Sequence, residues 1–65
     1  LAHLTDRQLE VLRALANGLT NREIAEAMHI APKTVMHHLT AVYRTIGVRS
    51  RSEATAWAMR RRLID

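Results

Sequence analysis

Thr20-Asn21-Arg22-Glu23-Ile24-Ala25-Glu26-Ala27-Met28-His29-Ile30-Ala31-Pro32-Lys33-Thr34-Val35-Met36-His37-His38-Leu39 holds two helix starts separated by one short turn. Thr20 and Glu23 are spaced as a capping box: the threonine hydroxyl accepts from the Glu23 N–H while the Glu23 side chain reaches back to the Thr20 N–H. Leu19 before the cap and Ile24 at the fourth helical position form a hydrophobic staple across it. A short helix is therefore predicted from Asn21 to Met28, burying Ile24, Ala25 and Met28. His29-Ile30-Ala31 is too short to be anything but a turn. Pro32 then opens a second helix at the position that tolerates its fixed φ and missing N–H. Ala31, at the cap, forgoes the side-chain acceptor that Ser, Thr, Asp or Asn would supply.

Outward from this stretch the same punctuation recurs. Val35, Leu39, Val42 and Ile46 follow at i, i+4, i+7 and i+11, one continuous apolar stripe that Gly47 terminates, so the second helix is predicted over 32–46. Upstream, Thr5 and Gln8 repeat the capping box and Leu4 and Leu9 the staple. They start a helix at Asp6 whose apolar face is Leu9, Leu12 and Ala16, flanked by Val11 and Leu15, and which stops at Asn17-Gly18. Downstream, Ser50 and Glu53 read as a third capping box, for a helix continuing to Arg62. No alternating strand pattern competes. The expected fold is all-α: a four-helix, bundle-like domain with a central helix-turn-helix made by helices 2 and 3.

The composition narrows the function. Sixty-five residues make at most one small domain; there is no cysteine, hence no disulfide and no Cys-based zinc site, and that absence fits a reducing compartment. No apolar run approaches the length of a membrane span or a secretory signal. Ten Lys+Arg against six Asp+Glu give a formal charge of +4. Its placement matters more than its size. From Pro32 to Ser52 there is no acidic residue, while Lys33, Arg44, Arg49 and Arg51 fall in that span. Lys33, Met36, His37, Thr40 and Arg44 lie opposite the apolar stripe of helix 3, where a DNA major groove wide enough for a helix could receive them. Adjacent His37 and His38 point about 100° apart on a helix and cannot share one metal ion. No paired carboxylates, nucleophile with base, or glycine-rich phosphate loop can be assembled, so neither an enzyme nor a metal or cofactor site is expected.

Five segments taken together resemble the LuxR/FixJ-type (GerE-like) helix-turn-helix domain of bacterial transcription regulators. These are Leu4-Thr5-x-Arg7 with Val11-Leu12; Gly18 to Ala25; Thr34-Val35-x-x-His38-Leu39; Ile46 to Arg51; and Glu53-Ala54. The resemblance covers essentially the whole chain. It implies that helix 3 enters the major groove of double-stranded DNA and that helix 4 pairs two copies on an inverted-repeat operator. Carried over position by position, it makes Met36, His37 and Thr40 the base readers. Its backbone contacts fall at Thr34, Thr45, Arg49 and Arg51, to which the basic outward face of helix 3 adds Lys33 and Arg44. It further implies RNA polymerase and a covalently linked regulatory domain as partners, and a cytoplasmic, nucleoid-associated location. Leu1 stands almost at the first cap, so residues 1–65 are expected to be the effector domain of a longer regulator.

The departures fall on the reading face. Met36 and Thr45 stand where the family commonly has lysine, Ala41 where asparagine is usual, Gln8 for a frequent glutamate and Ala31 for a frequent serine. Met36 cannot donate to guanine but can pack against a thymine methyl, which predicts more apolar and shape-dependent readout. Helix 4 has Ala54 and Ala58 spaced for close packing on the domain. Ala56, Met59 and Leu63 form a second stripe suited to dimerisation, with Trp57 beside both. Arg60-Arg61-Arg62 complements the macrodipole at the helix end. The alternative function is a helical protein-interaction module that keeps the fold with weak or no specific DNA binding; a nonspecific architectural DNA binder is a third.

Overall fold

The computed structural model describes residues 3–63. Four helices follow one another: α1 (Asp6–Ala16), α2 (Asn21–Met28), α3 (Pro32–Ile46) and α4 (Arg51–Arg60), with no strand among the described residues. The all-α helix-turn-helix architecture expected from the sequence is the one observed.

The helix starts explain the boundaries. Gln8 N–H donates to the Thr5 hydroxyl at 3.1 Å and Thr5 N–H to Gln8 Oε1 at 3.0 Å. Thr20 and Glu23 repeat this reciprocal pair at 3.1 and 2.8 Å. At α3 no side chain caps the helix, and Pro32 takes the first position. The third expected box is incomplete. Glu53 N–H donates to Ser50 Oγ at 3.1 Å, but the Glu53 carboxylate accepts from Arg49 N–H, one residue further back. Ser50 has φ −149°, against −72° at Thr5 and −74° at Thr20. That more extended backbone turns its own N–H away and brings the preceding one within reach.

The helix ends are more uniform than the glycines suggest. Gly18, His29, Gly47 and Arg62 all have positive φ, at 94°, 57°, 75° and 56°. In each case the next residue donates its N–H five residues back: Leu19 to Ala14, Ile30 to Ala25, Val48 to Tyr43 and Leu63 to Ala58, at 3.1, 3.0, 2.9 and 3.0 Å. This is the Schellman arrangement, in which a left-handed residue satisfies the last carbonyls and turns the following apolar side chain back onto the helix. Leu19, Ile30 and Val48 pack against the core and Leu63 is part of it. The end of α4 is therefore Arg60 and not Arg62, because burying Leu63 requires the left-handed turn at Arg62.

α1 packs against each of the other three helices, and α2 packs along α3. Val11 and Leu12 are fully buried and Leu15 nearly so, whereas Leu9 and Ala16 are half-buried. The buried arc of α1 is thus centred slightly off the face expected, because one helix serves three neighbours. Val35, Leu39 and Val42 supply the α3 side of the core, and Ile24 and Ala25 that of α2. Ala54, Trp57 and Ala58 supply that of α4, which assigns Trp57 to the interior. Arg61 lies over its ring, 3.8 Å from the centroid. No helix is long and apolar enough to cross a membrane.

Nothing lies within 4 Å of a Cβ built on Gly47. Gly47→Ala is therefore expected to cost only the left-handed strain of about 1–2 kcal/mol. His29→Gly relieves the same strain, offset in part by glycine's entropy, and is expected to gain about 0.5–1 kcal/mol. Urea unfolding of both variants checks the opposite signs.

Candidate nucleic-acid interface

Burying Val35, Leu39 and Val42 fixes the rotation of α3, and with it which side chains face outward. Lys33, Met36, His37, Thr40, Arg44 and Thr45 are exposed, and Thr34 is half-buried at the third helical position. The three expected base readers thus share one surface, with the expected backbone contacts of α3 along and beyond its two ends. Thr40 Oγ1 donates to the Met36 carbonyl at 2.9 Å, one turn back on the same helix. Half-buried His38 lies off this surface.

The charge on this face is unneutralised. One arginine of α1 and one of α2 have acidic neighbours: Arg7 lies 3.7 Å from Glu10, and Arg22 the same distance from Glu26. Lys33, Arg44 and Arg49 make no ion pair among the described residues, and the Glu53 carboxylate is occupied by Arg49 N–H. That last bond also anchors the backbone from which the Arg49 side chain projects. A cationic surface without interspersed acid is the footprint expected where phosphates approach.

Arg51 is placed differently from Arg49. Its Nη1 donates to Asn21 Oδ1 at 2.9 Å and its Nη2 to the Leu19 carbonyl. The guanidinium therefore ties the start of α4 to the start of α2, with further N–H donors left over. A cavity of about 210 Å³ lies between them and α3, lined by Asn21, Met36, Leu39, Thr40, Tyr43 and Arg51. Asn21 and Tyr43 were not singled out by sequence. Tyr43 continues the i, i+4, i+7 spacing of Met36 and Thr40, a signal that was available; Asn21 is brought there by a contact spanning 30 residues, which no local pattern carries.

The proposed dimer stripe is only partly assembled. Met59 is 59% exposed, but Leu63 is 5% exposed in the protomer's own core, and Ala56 is half-buried. Ala56 and Met59 instead line a shallow groove of about 420 Å³ between the end of α1 and α4, with Leu15, Ala16, Gly18, Arg51, Ser52 and Thr55. Among the described residues no group of three or more His, Cys, Asp or Glu converges as a metal site would require.

A compact helix-turn-helix whose second helix exposes a cationic, acid-free side defines a class of DNA-binding regulatory domain. Comparison with known proteins gives the family: residues 2–58 match the GerE family, described as bacterial regulatory proteins, luxR family, and the chain belongs to it. It is 40% identical over 60 residues to the transcriptional regulatory protein LnrK of Bacillus subtilis, covering 92% of this chain and 27% of that protein. To the response regulator protein VraR of Staphylococcus aureus it is 39% identical over 62 residues, covering 95% of this chain and 30% of that one. VraR of Staphylococcus saprophyticus matches to the same extent. The chain thus spans less than a third of the length of these relatives.

Arg51 and Arg49 should separate in stability measurements. Arg51→Ala is expected to cost about 1–2 kcal/mol, two charge-assisted hydrogen bonds discounted for their exposure. Arg49→Ala is expected to stay within about 0.5 kcal/mol of the parent. Urea midpoints of the two variants provide the comparison.

Proposed function

We propose that this domain binds double-stranded DNA sequence-specifically, as a homodimer on an inverted-repeat operator, within a bacterial transcription regulator. The observation that carries the proposal is the outward side of α3: Met36, His37 and Thr40 exposed together, flanked by Lys33, Arg44 and Arg49, which make no ion pair among the described residues. α3 lies in the major groove, where Met36, His37 and Thr40 meet base edges. Lys33, Thr34, Arg44, Thr45 and Arg49 hold the phosphates, and Arg51 adds its remaining donors at the rim. The pairing surface is the Ala56–Met59 side of α4, without Leu63. The relatives' names and greater lengths support a covalently linked regulatory domain in the full protein; RNA polymerase as downstream partner and work at the nucleoid in the cytoplasm follow from the proposed role in transcription.

Selection of bound sites from random DNA tests this directly: a recovered inverted repeat is the expected outcome. With about three phosphates neutralised per protomer, log K falls against log salt with a slope of about −2.7 per protomer. Arg49→Ala should weaken every sequence alike and lower that slope by about 1. A flat salt dependence with no recovered site would instead indicate the protein-interaction module, and a steep slope with no recovered site the architectural binder. Met59→Glu, by placing a charge on the pairing surface, should abolish cooperative occupancy of the two half-sites while leaving single half-site binding, measured by gel shift on full and half operators.

A further inference from the structure

At the centre of the reading surface Met36 and Thr40, one helical turn apart, direct no hydrogen-bond donor outward. Met36 has no donor and is 58% exposed, one of two large apolar side chains standing in solvent among the described residues. Thr40 has a single hydroxyl proton, and it is directed at the Met36 carbonyl. What Thr40 turns outward is therefore its methyl group and an oxygen with only lone pairs to offer. Between and below them the cavity wall continues through Leu39 and Tyr43. The donors of this cavity, the Tyr43 hydroxyl, the Asn21 amide and the Arg51 N–H groups not given to Asn21 and Leu19, belong to its other walls.

The Met36–Thr40 pair mismatches guanine, which presents two acceptors, O6 and N7, in the major groove. It matches thymine, whose C5-methyl projects there and needs an apolar recess. We infer that Met36, with the Thr40 methyl and the adjoining Leu39–Tyr43 wall, is a specificity-determining reader of the thymine C5-methyl group. Each half-site carries a thymine against Met36, discriminated by its methyl and not by a donated hydrogen bond. The inference rests on α3 occupying the major groove, and its test separates the two.

The selected operator is resynthesised with each thymine replaced in turn by deoxyuridine, which deletes the methyl and preserves every hydrogen-bonding group. One thymine per half-site is expected to show a loss of about fourfold in affinity, the effect of burying one methyl-sized group. In Met36→Ala that thymine-to-uracil difference should collapse towards unity, with the circular dichroism spectrum and the salt slope unchanged; Met36→Leu, which keeps an apolar side chain, should retain most of it. Equal binding of the uracil and thymine forms at every position overturns the inference while leaving operator recognition intact. So does a difference that persists undiminished in Met36→Ala. Failure to recover any preferred site overturns the major-groove placement itself, and this inference with it.

Discussion

Each helix of this domain ends by placing one residue in the left-handed region and returning the next apolar side chain to the interior. The constraint behind this is length. Helices of 8 to 15 residues lie at or below the roughly 12–15 residues at which even favourable isolated helices become marginal in water. Their stability must come from tertiary packing and from their ends. Leu19, Ile30, Val48 and Leu63 serve both needs at once, because each donates the hydrogen bond that closes its helix and adds an apolar group to the shared core. At the other ends Thr5, Thr20 and Ser50 satisfy amide groups that packing cannot reach.

The site is a by-product of the same arrangement. α1 takes contacts from all three neighbours, and α3 gives it and α2 the Val35–Leu39–Val42 side. Among the described residues the other side of α3, with Lys33, Met36, His37, Thr40 and Arg44, stays exposed. Its side chains are therefore displayed on a helix held by packing at every turn and closed at Gly47, a rigid support for groups whose positions must match those of bases. The ion pairs of Arg7 and Arg22 lie on α1 and α2, while the span from Pro32 to Ser52 holds four cations and no acidic residue of its own.

How much of this the sequence revealed follows the range of the interactions. α1, α2 and α3 begin and end where caps, Pro32 and Gly47 place them, since those signals act within three to five residues. The outward position of Met36, His37 and Thr40 followed from one period of apolar residues. The end of α4 did not, because Arg61 and Arg62 are good helix formers and Leu63 falls in register with Met59; only the burial of Leu63 stops the helix. The Glu53 bond to Arg49 depended on the φ of Ser50, a detail that the spacing of Ser and Glu does not encode. Arg51 looked like its neighbour Arg49, and its partners, 30 and 32 residues away, were invisible to any local pattern.

The Arg51 tether has a mechanical consequence. α2 and α4 are not among the helix pairs that pack broadly on each other, yet one guanidinium fastens the first residue of one to the first turn of the other. The tether gives α4 a direct connection to the base of the helix-turn-helix besides the one through α1. Should two copies meet through α4, the angle between their exposed α3 helices would depend on this polar link as well as on the packing of α4 against α1, and so on substitutions far from any base.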